Sequence, residues 1–143
     1  MTLADGCFDP LHAGHLRYLQ AARFYGRPLV VRLASDAAIR AKGREPYQTR
    51  QERGQLVWAL DVVDRVVFED PLAHAIRVYK PEFLIKGIEW RDRLPSEVLE
   101  ACQQTGTQIV FVNERHRSSS DRLLSLRLAD PGSLKWRSSG SSG

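Results

Sequence analysis

Cysteine is scarce in this chain: Cys7 and Cys102 are the only two among 143 residues. Two thiols make no disulfide framework, so a reducing compartment, the cytoplasm, is the expected setting. No apolar run approaches the ~20 residues that a membrane-spanning helix needs, and no membrane partner is expected. Charge of one sign is not massed anywhere. Lys and Arg outnumber Asp and Glu by 21 to 17, but the basic residues are dispersed. They do not make the basic stripe with stacking aromatics that nucleic-acid binding calls for, and no nucleic acid is expected as a partner. A small positive balance does suit a small, phosphate-rich substrate. Internal repeats are absent too.

What is present is an ordinary apolar content of 43%, enough for one domain with a real core. Residues 2–4, 28–34, 65–68, 83–85 and 108–112 read as strands. Several are near-continuous apolar runs, the pattern of parallel strands covered on both faces. Helical spacing follows His15 (Leu16, Leu19, Ala22 and, less regularly, Phe24). Thr49 and Glu52 spell a capping box ahead of Arg53, Leu56, Val57 and Leu60. A short helix spans 72–79, with Lys80-Pro81 closing it, and Ser96 is placed to cap a last helix that Gly106 ends. Residues 37–47 read as a polar connection. Strands alternating with helices define an α/β fold: a Rossmann-like, doubly wound, five-stranded parallel sheet in a three-layer α/β/α sandwich. The domain is expected over 1–130. Residues 131–143, ending Ser-Ser-Gly-Ser-Ser-Gly, read as a disordered tail or linker.

The chemistry gathers where strands end. Gly6-Cys7-Phe8-Asp9-Pro10-Leu11-His12-Ala13-Gly14-His15 runs from a strand through a glycine turn into a helix. The unpartnered N–H groups and dipole of a helix start favour an anion. His12 and His15 project from that turn, and Gly14 permits close backbone approach. Taken bare, the two would pass as surface histidines. Lys42 and Arg44 follow the second strand, a mobile point charge and a planar fork suited to phosphate, or simply a solvated loop. Lys86-Gly87-Ile88-Glu89-Trp90 follows the fourth strand, where Trp90 could also be packing and Glu89 a surface charge. Arg117-Ser118-Ser119-Ser120 follows the fifth. A helix capped by Ser118 or Ser119 would be a second anion site; a flexible loop is the plainer alternative. Four polar clusters thus converge on one crevice. No base is suggested for Cys7, so it reads as structural.

His-Ala-Gly-His behind Gly-Cys-Phe-Asp resembles the H-x-G-H signature and lead-in of the HIGH-motif (cytidylyltransferase-like) nucleotidyltransferases. Residues 4 to about 125 look most like the heptose 1-phosphate adenylyltransferases, through His-Ala-Gly-His-Leu-Arg-Tyr-Leu, Leu-Ile-Lys-Gly and Arg-Ser-Ser-Ser. The glycerol-3-phosphate cytidylyltransferases come next: Trp90 favours them, whereas Asp61 stands where they usually carry a basic residue. The resemblance implies transfer of a nucleotidyl group from a nucleoside triphosphate, ATP favoured, to a phosphorylated sugar or similar small phosphate, with release of pyrophosphate. It makes His12, His15 and Lys42 catalytic. It assigns Gly6, Cys7, Phe8, Gly14, Lys86, Gly87, Glu89, Trp90, Arg117 and Ser118 to Ser120 to the nucleotide, and Asp9, Arg44 and Arg53 to the acceptor. Two of these keep alternatives: Asp9 orients the turn or the acceptor, with a metal-linked role a weaker option, and Arg53 holds the acceptor phosphate or braces the loop. Mg²⁺ is expected with the triphosphate, with no metal site of the protein's own, and a homodimer is expected. Asp121 departs from the family's usual residue after the serine triplet, which motivates a reading of another class: a nucleotide-binding domain without turnover.

Overall fold

The structure, a computed structural model, describes residues 1–113. Five strands, β1 (Thr2–Gly6), β2 (Leu29–Leu33), β3 (Arg65–Val67), β4 (Phe83–Gly87) and β5 (Gln108–Val112), form one sheet. They lie in the order β3-β2-β1-β4-β5, every pair parallel. The helices are α1 (Ala13–Arg23), α2 (Asp36–Ala41), α3 (Arg50–Trp58), α4 (Leu72–Tyr79) and α5 (Ser96–Thr105), with a single 3₁₀ turn at Ile88–Trp90. The Rossmann-like α/β architecture read from the sequence is the one observed.

Alternation along the strands sorts the core into two layers. Leu3, Val30, Val67 and Leu84 pack on α4 and α5, with Ile76, Val98 and Ala101. Ala4, Val31, Leu33 and Ile85 pack on α1 and α3, with Tyr18, Leu19 and Val57. Each buried Leu, Ile or Val side chain among them contributes roughly 1.5–3 kcal/mol by leaving water. The strand order reverses direction between β1 and β4, so the connections after them diverge and leave a crevice at the carboxyl edge.

Local signals explain most boundaries. Thr49 and Glu52 form the capping box of α3, each side chain meeting the other's backbone N–H. Gly106, at φ 74°, ends α5 in the left-handed region where glycine has no steric penalty. Three expectations are corrected. Residues 37–41 of the supposed polar connection belong to the helix α2, started by the Ser35 hydroxyl, which accepts from the Ala38 N–H at 3.0 Å, and anchored by buried Ile39. Ser96 does not cap α5. Pro95 sets the entry, its carbonyl accepting from Val98 and Leu99, and Ser96 becomes the first helical residue. Phe24, 91% exposed, lies off the buried face of α1, where Tyr18 and Leu19 sit instead. The Tyr18 hydroxyl reaches the carbonyls of Asp5 (3.0 Å) and Ile85 (2.7 Å), tying α1 to the adjoining ends of β1 and β4.

Candidate active site

The chain leaves β1 at Gly6, whose carbonyl accepts from the Ala34 N–H at 2.9 Å, and turns at Phe8 with φ 53°. A left-handed phenylalanine is strained and persists only where its surroundings hold it. Here its buried ring lies edge-on to His15, centroids 5.0 Å apart. Asp9 holds the other side. Its carboxylate, with no exposed side-chain surface, accepts from the Arg44 guanidinium at 2.8 Å and from the N–H groups of Tyr47 (2.9 Å) and Gln48 (3.0 Å). Burial opposes its ionisation, but those hydrogen bonds outweigh it and keep the carboxyl below the usual carboxylate range. Of the two roles expected of Asp9, orienting the turn is the one these contacts serve. Arg44 is the other half of the tie, and its exposed part borders the cavity.

His12 caps α1 with its own side chain: Nδ1 accepts from the Gly14 N–H at 3.0 Å. His15 reciprocates, its Nδ1 accepting from the His12 N–H at 3.2 Å. Both Nδ1 lone pairs are therefore occupied, so each neutral ring carries its proton on Nε2 and offers it as a donor. The rings stack with centroids 3.8 Å apart. Burial, helped by the neighbouring His12, lowers the His15 pKa to about 4, so this imidazole is neutral at pH 7. Gly14 is needed for a specific reason. A Cβ there would stand 2.8 Å from His12 Cε1 and 3.0 Å from Nδ1. Gly14→Ala, although it favours helix, should displace the His12 ring and lower turnover by about 10–100-fold. A melting temperature within a few degrees of the wild type, the helix gain offsetting the lost cap, beside the lowered kcat is the expected signature.

Both histidines line a cavity of about 550 Å³, as do Gly6, Cys7, Phe8, Asp9, Lys42, Arg44, Lys86, Gly87, Glu89 and Trp90. The Lys42 ammonium donates to Cys7 Sγ at 3.3 Å. The Trp90 ring lies against two ammonium groups, with Lys86 Nζ 4.3 Å and Lys42 Nζ 5.4 Å from its centroid. The Glu89 carboxylate lies over Gly87, occupying the space a Cβ would need.

Arg53 is not at the acceptor position expected of it. Its side chain is fully buried, donating to the carbonyls of Cys7 (2.8 Å), Ala34 (2.9 Å) and Gln48 (3.2 Å) and to Asp36 (2.6 Å). It braces three loops from beneath, the alternative the sequence had left open. Arg117, Ser118, Ser119 and Ser120 lie outside the described residues. Among those described, no three His, Cys, Asp or Glu side chains are placed to hold a metal, and the Asp9 oxygens are already engaged, so no site for a resident ion is seen there.

One feature escaped the sequence reading. Asp5 and Arg32, direct partners across β1 and β2, pair at 2.8 Å, and Lys86 reaches the other Asp5 oxygen at 2.8 Å. Burial alone would raise the Asp5 pKa. The charges of Lys86 and Arg32 outweigh that and leave it lowered. The available signal was Arg32 itself, a lone charge inside the apolar run Leu-Val-Val-Arg-Leu.

A parallel sheet whose strand-end loops carry a helix-start histidine pair and converging lysines defines a nucleotidyltransferase-type α/β domain. The chain belongs to the cytidylyltransferase-like family, whose model matches residues 3–120. It is 44% identical over 121 residues to the bifunctional protein HldE of Geobacter sulfurreducens, covering 80% of this chain and 25% of that protein. The bifunctional protein HldE of Geotalea uraniireducens is 40% identical over 119 residues, 79% of this chain and 24% of that one. The chain thus spans about a quarter of the length of these relatives. Among solved structures it resembles a lipopolysaccharide core biosynthesis protein from Thermoplasma volcanium, with a TM-score of 0.66 and 28% identity over 78% of this chain and 93% of that one. No helix among the described residues is long and apolar enough to cross a membrane.

Proposed function

We propose that this domain transfers a nucleotidyl group from a nucleoside triphosphate, ATP in preference to CTP, to the phosphate of a phosphorylated sugar. An acceptor phosphate oxygen attacks the α-phosphorus, the bond from that phosphorus to the β-bridging oxygen breaks, and pyrophosphate leaves. The ionised phosphate is already a nucleophile, so no general base is needed, and catalysis reduces to positioning and charge neutralisation. The observation carrying this reading is the pair of imidazoles with both Nδ1 atoms engaged by backbone N–H groups. That arrangement leaves two Nε2–H donors for oxygens that gain charge as the transfer proceeds. Lys42 would neutralise the departing phosphates, and Mg²⁺ would arrive on the triphosphate, supplying further charge neutralisation. ATP and a sugar phosphate are favoured by the resemblance to heptose 1-phosphate adenylyltransferases. The Thermoplasma volcanium relative, described as a lipopolysaccharide core biosynthesis protein, points the same way.

Pyrophosphate release measured with ATP or CTP against aldose 1-phosphates and glycerol 3-phosphate tests the assignment. Release with ATP and an aldose 1-phosphate is expected. Release only with CTP and glycerol 3-phosphate would move the domain to the cytidylyltransferase group. Nucleotide binding without release from any pair would make it a binding module.

A further inference from the structure

The proposed transfer uses the histidine side of the cavity and gives no role to Asp5 or Arg32 on its α4/α5 side. Leu3, Val30 and Leu84 point to that face, and so do the residues two positions further along each strand, Asp5, Arg32 and Lys86. Because Asp5 pairs with Arg32 and Ala4 with Ile85 in register, the three side chains stand in a row across β2, β1 and β4. The charges alternate plus, minus, plus. Arg32 continues to Asp70 at 2.6 Å and to the Glu69 carbonyl at 2.8 Å. All three are over nine-tenths buried, with side chains 8%, 7% and 6% exposed, yet all three line the cavity. Apolar Leu72 and Ala73 at the start of α4, and Leu94 and Val98 around the start of α5, wall them in.

An ion row in such a place is a poor stabiliser. Removing the charges from water roughly offsets their attraction, and well-packed apolar residues would serve as well or better. Its use lies in what it presents. Among the described residues Lys86 spends one of its three N–H groups on Asp5, Arg32 spends three of its five on Asp5, Asp70 and Glu69, and the carboxylate keeps spare lone pairs. Alternating donors and acceptors behind apolar walls match a chain of hydroxyl groups, each of which both donates and accepts. They match a flat base poorly, and the indole near them, Trp90, already lies against Lys86 and Lys42.

We propose that Asp5 and Arg32 are specificity-determining residues that read the hydroxyl groups of the acceptor, making it a polyhydroxylated monophosphate whose carbon chain lies against the α4/α5 face. The word acceptor rests on the transferase reading; the binding itself does not need turnover. Calorimetric titration of the wild type, Asp5→Asn and Arg32→Met tests it, using aldose 1-phosphates of five to seven carbons, n-butyl phosphate as a hydroxyl-free probe, and ATP. The wild type should bind at least one aldose phosphate about tenfold or more tighter than n-butyl phosphate. Each variant should weaken that aldose phosphate by about 10–100-fold while holding ATP to within about twofold. Asp5→Asn keeps the size and an acceptor oxygen, so it carries the test if Arg32→Met melts early. A wild type without the aldose preference, or variants that weaken ATP as much as the sugar phosphate, would overturn the proposal. Aldose binding with the expected pattern but no pyrophosphate release from any pair would sink the transferase reading and leave this one standing.

Discussion

Replacing His12 or His15 with alanine should lower kcat on the order of 10²–10³, the effect of deleting one preorganised donor to a developing oxyanion. The triphosphate KM should change far less, since the donors matter most when charge builds. The two losses should not multiply. The rings stack face to face on one turn, where the His12 N–H holds the His15 ring and the Gly14 N–H the His12 ring. Losing either ring leaves the other without its stacking partner, so the double variant is expected to fall little below the worse single one. His15 acts as a neutral donor, its pKa lowered to about 4 by burial. Turnover should therefore show no loss between about pH 6 and 8 from deprotonation of this ring, whereas a charged donor of ordinary pKa would fade over that span. Stability moves in the linked sense. The unfolded chain takes up the His15 proton first as pH falls, so the folded state is favoured fully above the ordinary value near 6.5 and loses that contribution as pH drops from there toward 4. Rate profiles from pyrophosphate release and melting temperatures across that range check both. Turnover that fades as pH rises through 6.5 would make the donor a charged imidazole instead of a neutral one, and full turnover in the double alanine variant would remove the histidines from the chemistry.

The parts of this fold that could be read from the sequence are those whose cause is local. Residues 29–33 announce a buried parallel strand because both faces are covered, so every position is buried. Thr49 and Glu52 announce a helix start because cap and partner lie one turn apart. The helix start with His12 and His15 was legible for the same reason: each ring accepts from a backbone N–H two or three residues away. What could not be read depends on register between distant segments. Lys86 and Asp5 are 81 positions apart, and only the alignment of β4 on β1 makes them neighbours. The helix at 36–41 was masked by its shortness, since six residues with Ile39 alone buried give no apolar period to read. Arg53 was ambiguous because an arginine near a phosphate site suits ligand and scaffold equally, and exposure, which sequence does not show, separates the two.

Arg53 therefore supports the other large effect. Its guanidinium sits fully buried among carbonyls from the turn after β1, the end of β2 and the loop before α3, and it also pairs with Asp36. Arg53→Met would fill much of the volume but leave the Cys7, Ala34 and Gln48 carbonyls without this donor, at roughly 1–3 kcal/mol for each group that water cannot reach. Relaxation would recover part of that, so a net loss of about 3–5 kcal/mol is expected, and a melting temperature lower by on the order of 10 °C. Arg53→Lys should restore only a small part, because a single ammonium on a flexible stem cannot meet four acceptors that lie around a planar fork. The turn carrying the histidines would loosen as well, since the Cys7 carbonyl is one of the three released. Turnover measured well below the new melting point should fall with the acceptor and triphosphate KM values moving together. If Arg53→Met instead melts with the wild type and raises the KM of the acceptor alone, the guanidinium holds ligand after all, and the three loops must be braced by something else.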